Sequence, residues 1–291
     1  MIIHSFFDTV ILNIRKIKKR EVQVSIMINV FTNEEVLCIE GNVQSAGLKL
    51  GTVYSFLVDG MLIDTGTQCL ESELIPIYEQ QSIDLVTLTH SHEDHSGLAP
   101  WIQKHKHVPI YVHPNGIPIC NQHCPYPKYR QLTWGVRTPF DALPLGEKVQ
   151  SRNQEWKVIY TPGHADDHVS FFHEESGRLF SGDLFVTTRT KVIMDSESIP
   201  VIIHSLRTLL TYDFQSLYCA HSGYIEDGKS RMKQKLDYLE NLSGEVENLY
   251  NEGRSIDEIT QMLFPKKYPI IAFSDGQWDS RHIISSIVSA C

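Results

Sequence analysis

The sequence predicts an α/β fold with its sheets inside and its helices outside, closed by a small helical unit at the C-terminal end. Strand-like runs alternate with helix-like ones between about 53 and 219, several of the strands are apolar almost throughout, and past Gly228 only helical periods remain. Strands that are apolar on both faces need cover on both faces, and helices laid over paired sheets supply it. At 291 residues, 42% of them hydrophobic, the chain is long enough for one large domain with a full core. We expect three segments: an N-terminal extension over 1–26, the main domain over 27–228 and a helical subdomain over 229–291.

Taken in order, residues 1–20 place an apolar stretch, Met1 to Ile14, ahead of the basic cluster Arg15, Lys16, Lys18, Lys19, Arg20. That is the reverse of a secretory signal, and Met27 offers a second translation start. Val53–Val58 and Met61–Ile63 are β-rich runs separated by Asp59-Gly60, a dipeptide that favours a tight hairpin. The second run ends in Asp64-Thr65-Gly66. Residues 72–82 look helical, Ile83–Thr89 reads as a buried strand leading straight into His90, Gly97–Lys104 suits a short helix and Val108–Val112 the next strand. Residues 114–140, rich in proline, cysteine and tyrosine, have no clean period and read as a long loop.

Strands follow at Trp156–Tyr160, Val169–His173, Arg178–Phe180 and Ser216–Cys219, with a helix around Val201–Leu210. Met232, Leu236, Leu239, Leu242, Val246 and Leu249 then recur at spacings of three and four, one apolar stripe on a long helix. Ser255 and Glu258 form a capping-box pattern before Ile256, Ile259 and Leu263, and Ile283, Ile284, Ile287 and Val288 mark a last helix.

A net charge of −9 argues against broad attraction to nucleic acid or anionic membranes. Nowhere do about 18 apolar residues run together, so no ordinary membrane span is expected. The cysteines at 38, 69, 120, 124, 219 and 291 are scattered through a chain that does not need staples. We expect no disulfide and a reduced, cytoplasmic setting.

The chemistry concentrates in His90-Ser91-His92-Glu93-Asp94-His95, directly after a strand. Histidines at i and i+2 can converge on one point at a turn, and the following Asp-His pair can face a second. Imidazole and carboxylate together suit zinc, and also iron or manganese. His164 after Pro162-Gly163, Asp183 after Ser181-Gly182, and His221 after Leu217–Ala220 each follow a strand and could open on the same sheet edge.

These motifs, from Asp64 to His221, resemble the metallo-β-lactamase superfamily in order and spacing. The resemblance implies a four-layer αβ/βα sandwich and a hydrolase in which a hydroxide bridges two divalent metals, with zinc as first choice and manganese or iron as alternatives. It assigns His90, His92 and His164 to the first metal, Asp94, His95 and His221 to the second, and Asp183 as the bridge. Asp94 and Asp183 are the carboxylates it makes catalytic, and Asp64 supports the ligand loops. His168 is read as pocket-lining or as a partner behind the ligands, and Cys219 as a small buried residue beneath them. Cys120 and Cys124 lack a second pair that would make a structural zinc site. The basic cluster Lys229, Arg231, Lys233, Lys235 sits among acidic residues and reads as a solvated face, as do Lys104–His107.

His92 differs from the acidic residue of flavodiiron proteins, and 19 positions from His164 to Asp183 and 38 from there to His221 leave no room for the inserted parts of the larger nucleases. What remains is similar to glyoxalase II, acyl-homoserine lactonases and lactamase-β-2-like proteins. The expected substrate is a small ester, thioester or lactone; a phosphodiesterase or endoribonuclease at the same centre, and a mononuclear iron persulfide dioxygenase, are the alternatives. The loop 114–140 and the C-terminal unit, with Trp278 and Arg281, are expected to wall the pocket. The oligomeric state is left open.

Overall fold

The computed structural model describes residues 24–45 and 48–290. Expectations about residues 1–23 therefore lie outside the described residues. A seven-stranded sheet follows chain order: β1 (Val24–Asn33), β2 (Val36–Ser45), β3 (Leu48–Val58), β4 (Met61–Ile63), β5 (Leu85–Thr87), β6 (Ile110–Val112) and β7 (Leu143–Pro144). β1 and β2 form a long antiparallel hairpin that starts at Val24, so position 27 falls inside a strand. Asp59 and Gly60 both adopt positive φ, 47° and 79°, and turn β3 into β4 as the dipeptide predicts. Helices α1 (Glu71–Gln80), α2 (Glu93–Ser96) and α3 (Ala99–Lys106) follow, with α1 and α3 covering one face.

The second sheet has β8 (Lys148–Gln150), β9 (Glu155–Tyr160), β10 (Val169–His173), β11 (Arg178–Phe180), β13 (Ser216–Cys219) and β14 (Gly223–Ile225), ordered β14-β13-β11-β10-β9-β8. Its outer face carries α6 (Ile199–Leu210), α7 (Gly228–Asn251), α8 (Ile256–Leu263) and α10 (Ser280–Val288). The capping box at Ser255 and Glu258 is formed.

Alternation along each strand divides the core into layers. Met61 and Ile63 join Phe56, Phe171, Phe180 and Tyr218 between the sheets, while Leu62 joins Leu74, Tyr78 and Ile102 under the first helical layer. Leu179, Leu217 and Cys219, next to Phe180 and Tyr218, face the opposite way into the core shared with Met232, Leu236 and Ile283. The result is a four-layer helix–sheet–sheet–helix sandwich. The C-terminal helices share their core with α6 and the second sheet.

The 114–140 segment is not a plain loop. It contains a 3-10 turn at Pro114–Gly116 and two short helices, α4 (Ile117–Cys120) and α5 (Lys128–Trp134). Elements of four to seven residues complete too few turns to show a period. Two further pieces, β12 (Ile193–Met194) and β15 (Trp278–Asp279), pair with each other, and α9 (Pro269–Phe273) lies just before β15. Among the described residues no helix is long and apolar enough to cross a membrane.

Candidate metal centre

β4 runs parallel to β5, and β11 parallel to β13. Their carboxyl ends release Asp64, His90, Asp183 and His221 at one edge of the sandwich, where the two sheets are laced together. Val169 N donates to Thr89 O (2.8 Å) and Tyr54 N to Ala220 O (2.7 Å) across the sheets, and within the first sheet's edge Thr65 N donates to His95 O (2.6 Å). The motif residues thus sit on backbone fixed from both sheets.

Two groups suited to holding a metal ion form there: His90, His92 and His164, and Asp94, His95, Asp183 and His221. In the first, His92 Nδ1 lies 3.0 Å from His90 Nε2 and 3.2 Å from His164 Nε2. In the second, His221 Nε2 is 3.0 Å from Asp183 Oδ2 and 3.5 Å from Asp94 Oδ2, and His95 Nε2 is 3.4 Å from Asp183 Oδ1. Asp183 Oδ2 is also 3.4 Å from His164 Nε2, so one carboxylate touches both groups.

His95, His221 and His164 are each oriented by a partner on the far nitrogen, as metal-binding imidazoles are. Asp64 Oδ2 accepts from His95 Nδ1 at 2.8 Å, and the same carboxylate accepts from Thr89 N and Thr89 Oγ1, each at 2.8 Å. Thr52 O accepts from His221 Nδ1 (2.6 Å), and Glu197 Oε2 lies 3.2 Å from His164 Nδ1. His168, fully buried, accepts the Asp183 N–H on Nε2 (3.1 Å) and pairs Nδ1 with Thr161 Oγ1 (2.8 Å), so it acts behind the ligands. Gly182, at φ 49°, lies so close that a Cβ there would come within 2.5 Å of His168 Nε2.

Burial, and then the neighbouring His95, depresses the proton affinity of His90; burial and then the Arg130 charge depress that of His92. Both rings are therefore held neutral, the state that offers a lone pair. Burial works the same way on His221, but Asp183 and Asp94 outweigh it and raise its pKa to about 9. Burial opposes ionisation of Asp183, yet His221 and His95 hold it well below the usual carboxylate range. His95 Nε2 and Asp183 Oδ1 are buried without a hydrogen-bond partner. Bare nitrogens facing one another and orphaned acceptors at one point are what a divalent cation would satisfy, so the donor set fits two such ions.

Further residues outside the two groups support the centre. Glu93 is buried and binds Arg130 of α5 in a bidentate pair, Nε to Oε1 at 2.5 Å and Nη2 to Oε2 at 2.6 Å. The indole of Trp134 lies 6.2 Å from the His221 ring, in the space left by Gly51. Trp278 Nε1 donates to Tyr129 OH (3.1 Å), joining the C-terminal unit to α5, whereas Arg281 turns away onto Asp257 (2.7 Å). Lys235 departs from the solvated face expected of it. Its Nζ is buried and donates to Leu184 O and Phe185 O, each at 2.7 Å, immediately after Asp183, while Lys229, Arg231 and Lys233 do pair with acids at the surface. Cys120 is buried and Cys124 Sγ accepts from Arg137 Nη2 (3.5 Å), and neither falls in a metal-suited group among the described residues.

Comparison with known proteins agrees with this arrangement. The family model of the metallo-beta-lactamase superfamily matches residues 48–221. A probable metallo-hydrolase of Bacillus subtilis (strain 168), YqjP, is 25% identical over 283 residues, covering 81% of this chain and 87% of that one. The hydroxyacylglutathione hydrolase of Hydrogenovibrio crunogenus is 27% identical over 163 residues, 55% of this chain and 52% of that protein. A solved metallo-beta-lactamase family protein from Thermus thermophilus shares the fold, with a TM-score of 0.58 at 19% identity over 92% of this chain and 94% of that one.

Proposed function

The chain belongs to the metallo-beta-lactamase superfamily, and from that premise we propose that this metal-dependent hydrolase acts on a small ester, thioester or lactone. The observation that carries the reading is the convergence of His90, His92 and His164 with Asp94, His95, Asp183 and His221 on two adjacent points. His90, His92 and His164 would hold one divalent ion, Asp94, His95 and His221 the other, and Asp183 both. Zinc suits this nitrogen–oxygen set first, with manganese or iron as alternatives. When bound, the ions supply Lewis acidity and make water a nucleophile near neutral pH.

The chain's own side chains do the rest. Asp94 and Asp183 are the carboxylates this reading makes catalytic: their acceptor oxygens would help to hold the ions and orient the attacking water. Asp64, Thr52 and Glu197 fix the histidine tautomers so that the lone pairs face inward. α5 lies over the centre, Arg130 against the ligand loop and Trp134 beside His221, and shields it from bulk water.

A carbonyl substrate is supported by the likeness to a hydroxyacylglutathione hydrolase and by the net charge of −9, which gives no general attraction to nucleic acid. The short gaps between motifs and the helices after Gly228 support a place near the glyoxalase II-like and lactamase-β-2-like members. Cys38, Cys69, Cys120, Cys124 and Cys219 are unpaired, which supports a reducing, cytoplasmic setting. The segments 1–26, 27–228 and 229–291 belong to the same reading, the last as a packed layer.

The test is one panel of 4-nitrophenyl esters, acyl thioesters, lactones and a bis-aryl phosphodiester. Carbonyl turnover that disappears in a folded Asp183→Ala variant supports the proposal. Turnover confined to the phosphodiester would replace it with a nuclease, and oxygen uptake on a persulfide with the oxygenase.

A further inference from the structure

Arg130 and Trp134 are four residues apart on α5 and so share one face of that helix. Trp134 reaches His221, in the group with Asp183, and Arg130 reaches Glu93, between His92 and Asp94. One end of this roof is an indole and the other a cation.

The Glu93 pair occupies only one edge of the guanidinium, that of Nε and one Nη2 hydrogen. A guanidinium has five N–H donors in a rigid fork, so a second edge, Nη1 with the other Nη2 hydrogen, is left. Among the described residues the acceptor this edge meets is the Met194 thioether, 3.9 Å from Nη1, which is a weak one. Met194 lies behind the centre: its N–H donates to Glu197 Oε1 (2.9 Å), and Glu197 Oε2 is 3.2 Å from His164 Nδ1, the nitrogen turned away from the other histidines. Arg130 therefore touches the residue next to His92 on one edge and, on the other, a residue joined to His164 through Glu197. Its side chain is 13% exposed, reachable from solvent yet largely desolvated, where charge-assisted hydrogen bonds are strongest.

We propose that this open edge of Arg130 is a carboxylate subsite, and that the substrate is an ester, thioester or lactone bearing a second, ionised carboxylate. The proposal rests on the carbonyl-hydrolase reading above. Glu93 shows that a planar carboxylate fits one edge of this guanidinium, and the free edge has the same donor spacing. Because Glu93 offsets the Arg130 charge, recognition comes from two directed N–H bonds rather than from net charge. Selectivity should therefore resist salt.

Mono-4-nitrophenyl glutarate and its methyl ester share the scissile bond and chain length and differ in the charge at the far end. In the metal-loaded wild type, kcat/KM should favour the acid by about 10- to 100-fold, the value of charge-assisted hydrogen bonds. Arg130→Lys keeps a cation beside Glu93 but has no second edge. It should lose that preference through a raised KM for the acid, with a smaller loss on the methyl ester and unchanged metal content. Equal turnover of the two esters by the wild type, or a preference retained in Arg130→Lys, would overturn the proposal. Calorimetric titration with glutarate and butyrate separates this from the reading beneath it. If neither ester is hydrolysed but glutarate binds more tightly than butyrate only when Arg130 is present, the subsite stands and ester hydrolysis falls. If both acids bind alike, the subsite falls.

Discussion

Asp64→Asn should disable the centre without unfolding the protein. The Asp64 carboxylate is 1% exposed and accepts from Thr89 N on Oδ1, and from Thr89 Oγ1 and His95 Nδ1 on Oδ2, each at 2.8 Å. A pure acceptor at Oδ2 requires the His95 hydrogen to sit on Nδ1, which leaves Nε2 bare toward Asp183 Oδ1 at 3.4 Å. In Asp64→Asn the amide oxygen keeps the Thr89 N–H, and the NH2 group replaces Oδ2. It then donates to His95 Nδ1, and the ring hydrogen moves to Nε2, where the ligand lone pair is needed. Replacing a charge-assisted hydrogen bond by a neutral one costs stability of about 1–2 kcal/mol. Loss of the tautomer control costs roughly 10- to 100-fold in metal affinity or activity. Calorimetric Tm and metal retention against a competing chelator read the two effects separately. An Asp64→Asn protein with wild-type chelator resistance and turnover would refute the reasoning.

Lys235→Met removes the donor that holds Leu184 O and Phe185 O; Phe185 O keeps the Thr187 N–H, but Leu184 O is left buried and unpaired, at about 1–3 kcal/mol. Part of this is offset by removing an ammonium whose pKa burial lowers to about 8. Val186, β-branched at φ 46°, ends the same segment and is strained there by about 1–2 kcal/mol, so without Lys235 the turn should relax and move Asp183. A modest fall in Tm with a larger fall in metal affinity is expected, and unchanged metal affinity would show that the turn holds itself. In metal-free protein, pairing with Asp183 raises the His221 pKa to about 9. Its contribution to stability should be complete below the ordinary histidine value of about 6.5 and lost as pH rises through the folded value. Denaturation midpoints of chelator-treated protein across that window should decline with rising pH, and a flat profile would contradict the pairing.

The residues of the two metal-suited groups are legible in the sequence because each follows a strand and four lie within six positions, so order and spacing survive without coordinates. The Asp59-Gly60 turn and the α7 stripe are legible for the same local reason. The β1–β2 hairpin carries no comparable signal: β1 is an edge strand of mixed polarity, with Met27 and Val30 largely exposed. Glu93–Arg130 and Glu197–His164 join residues more than thirty positions apart, and no spacing rule anticipates such pairs. Lys235 does carry a signal. It lies three residues after Met232 and four before Leu239, on the apolar stripe, but its basic neighbours make it look solvated.

The central claim is that these residues make one centre for two metals. Elemental analysis of the purified protein tests it most directly. About two equivalents of zinc, manganese or iron per chain, falling sharply in Asp183→Ala, is the predicted result. A single equivalent of iron would point to the mononuclear oxygenase, and a folded protein that takes up no divalent metal would contradict the account.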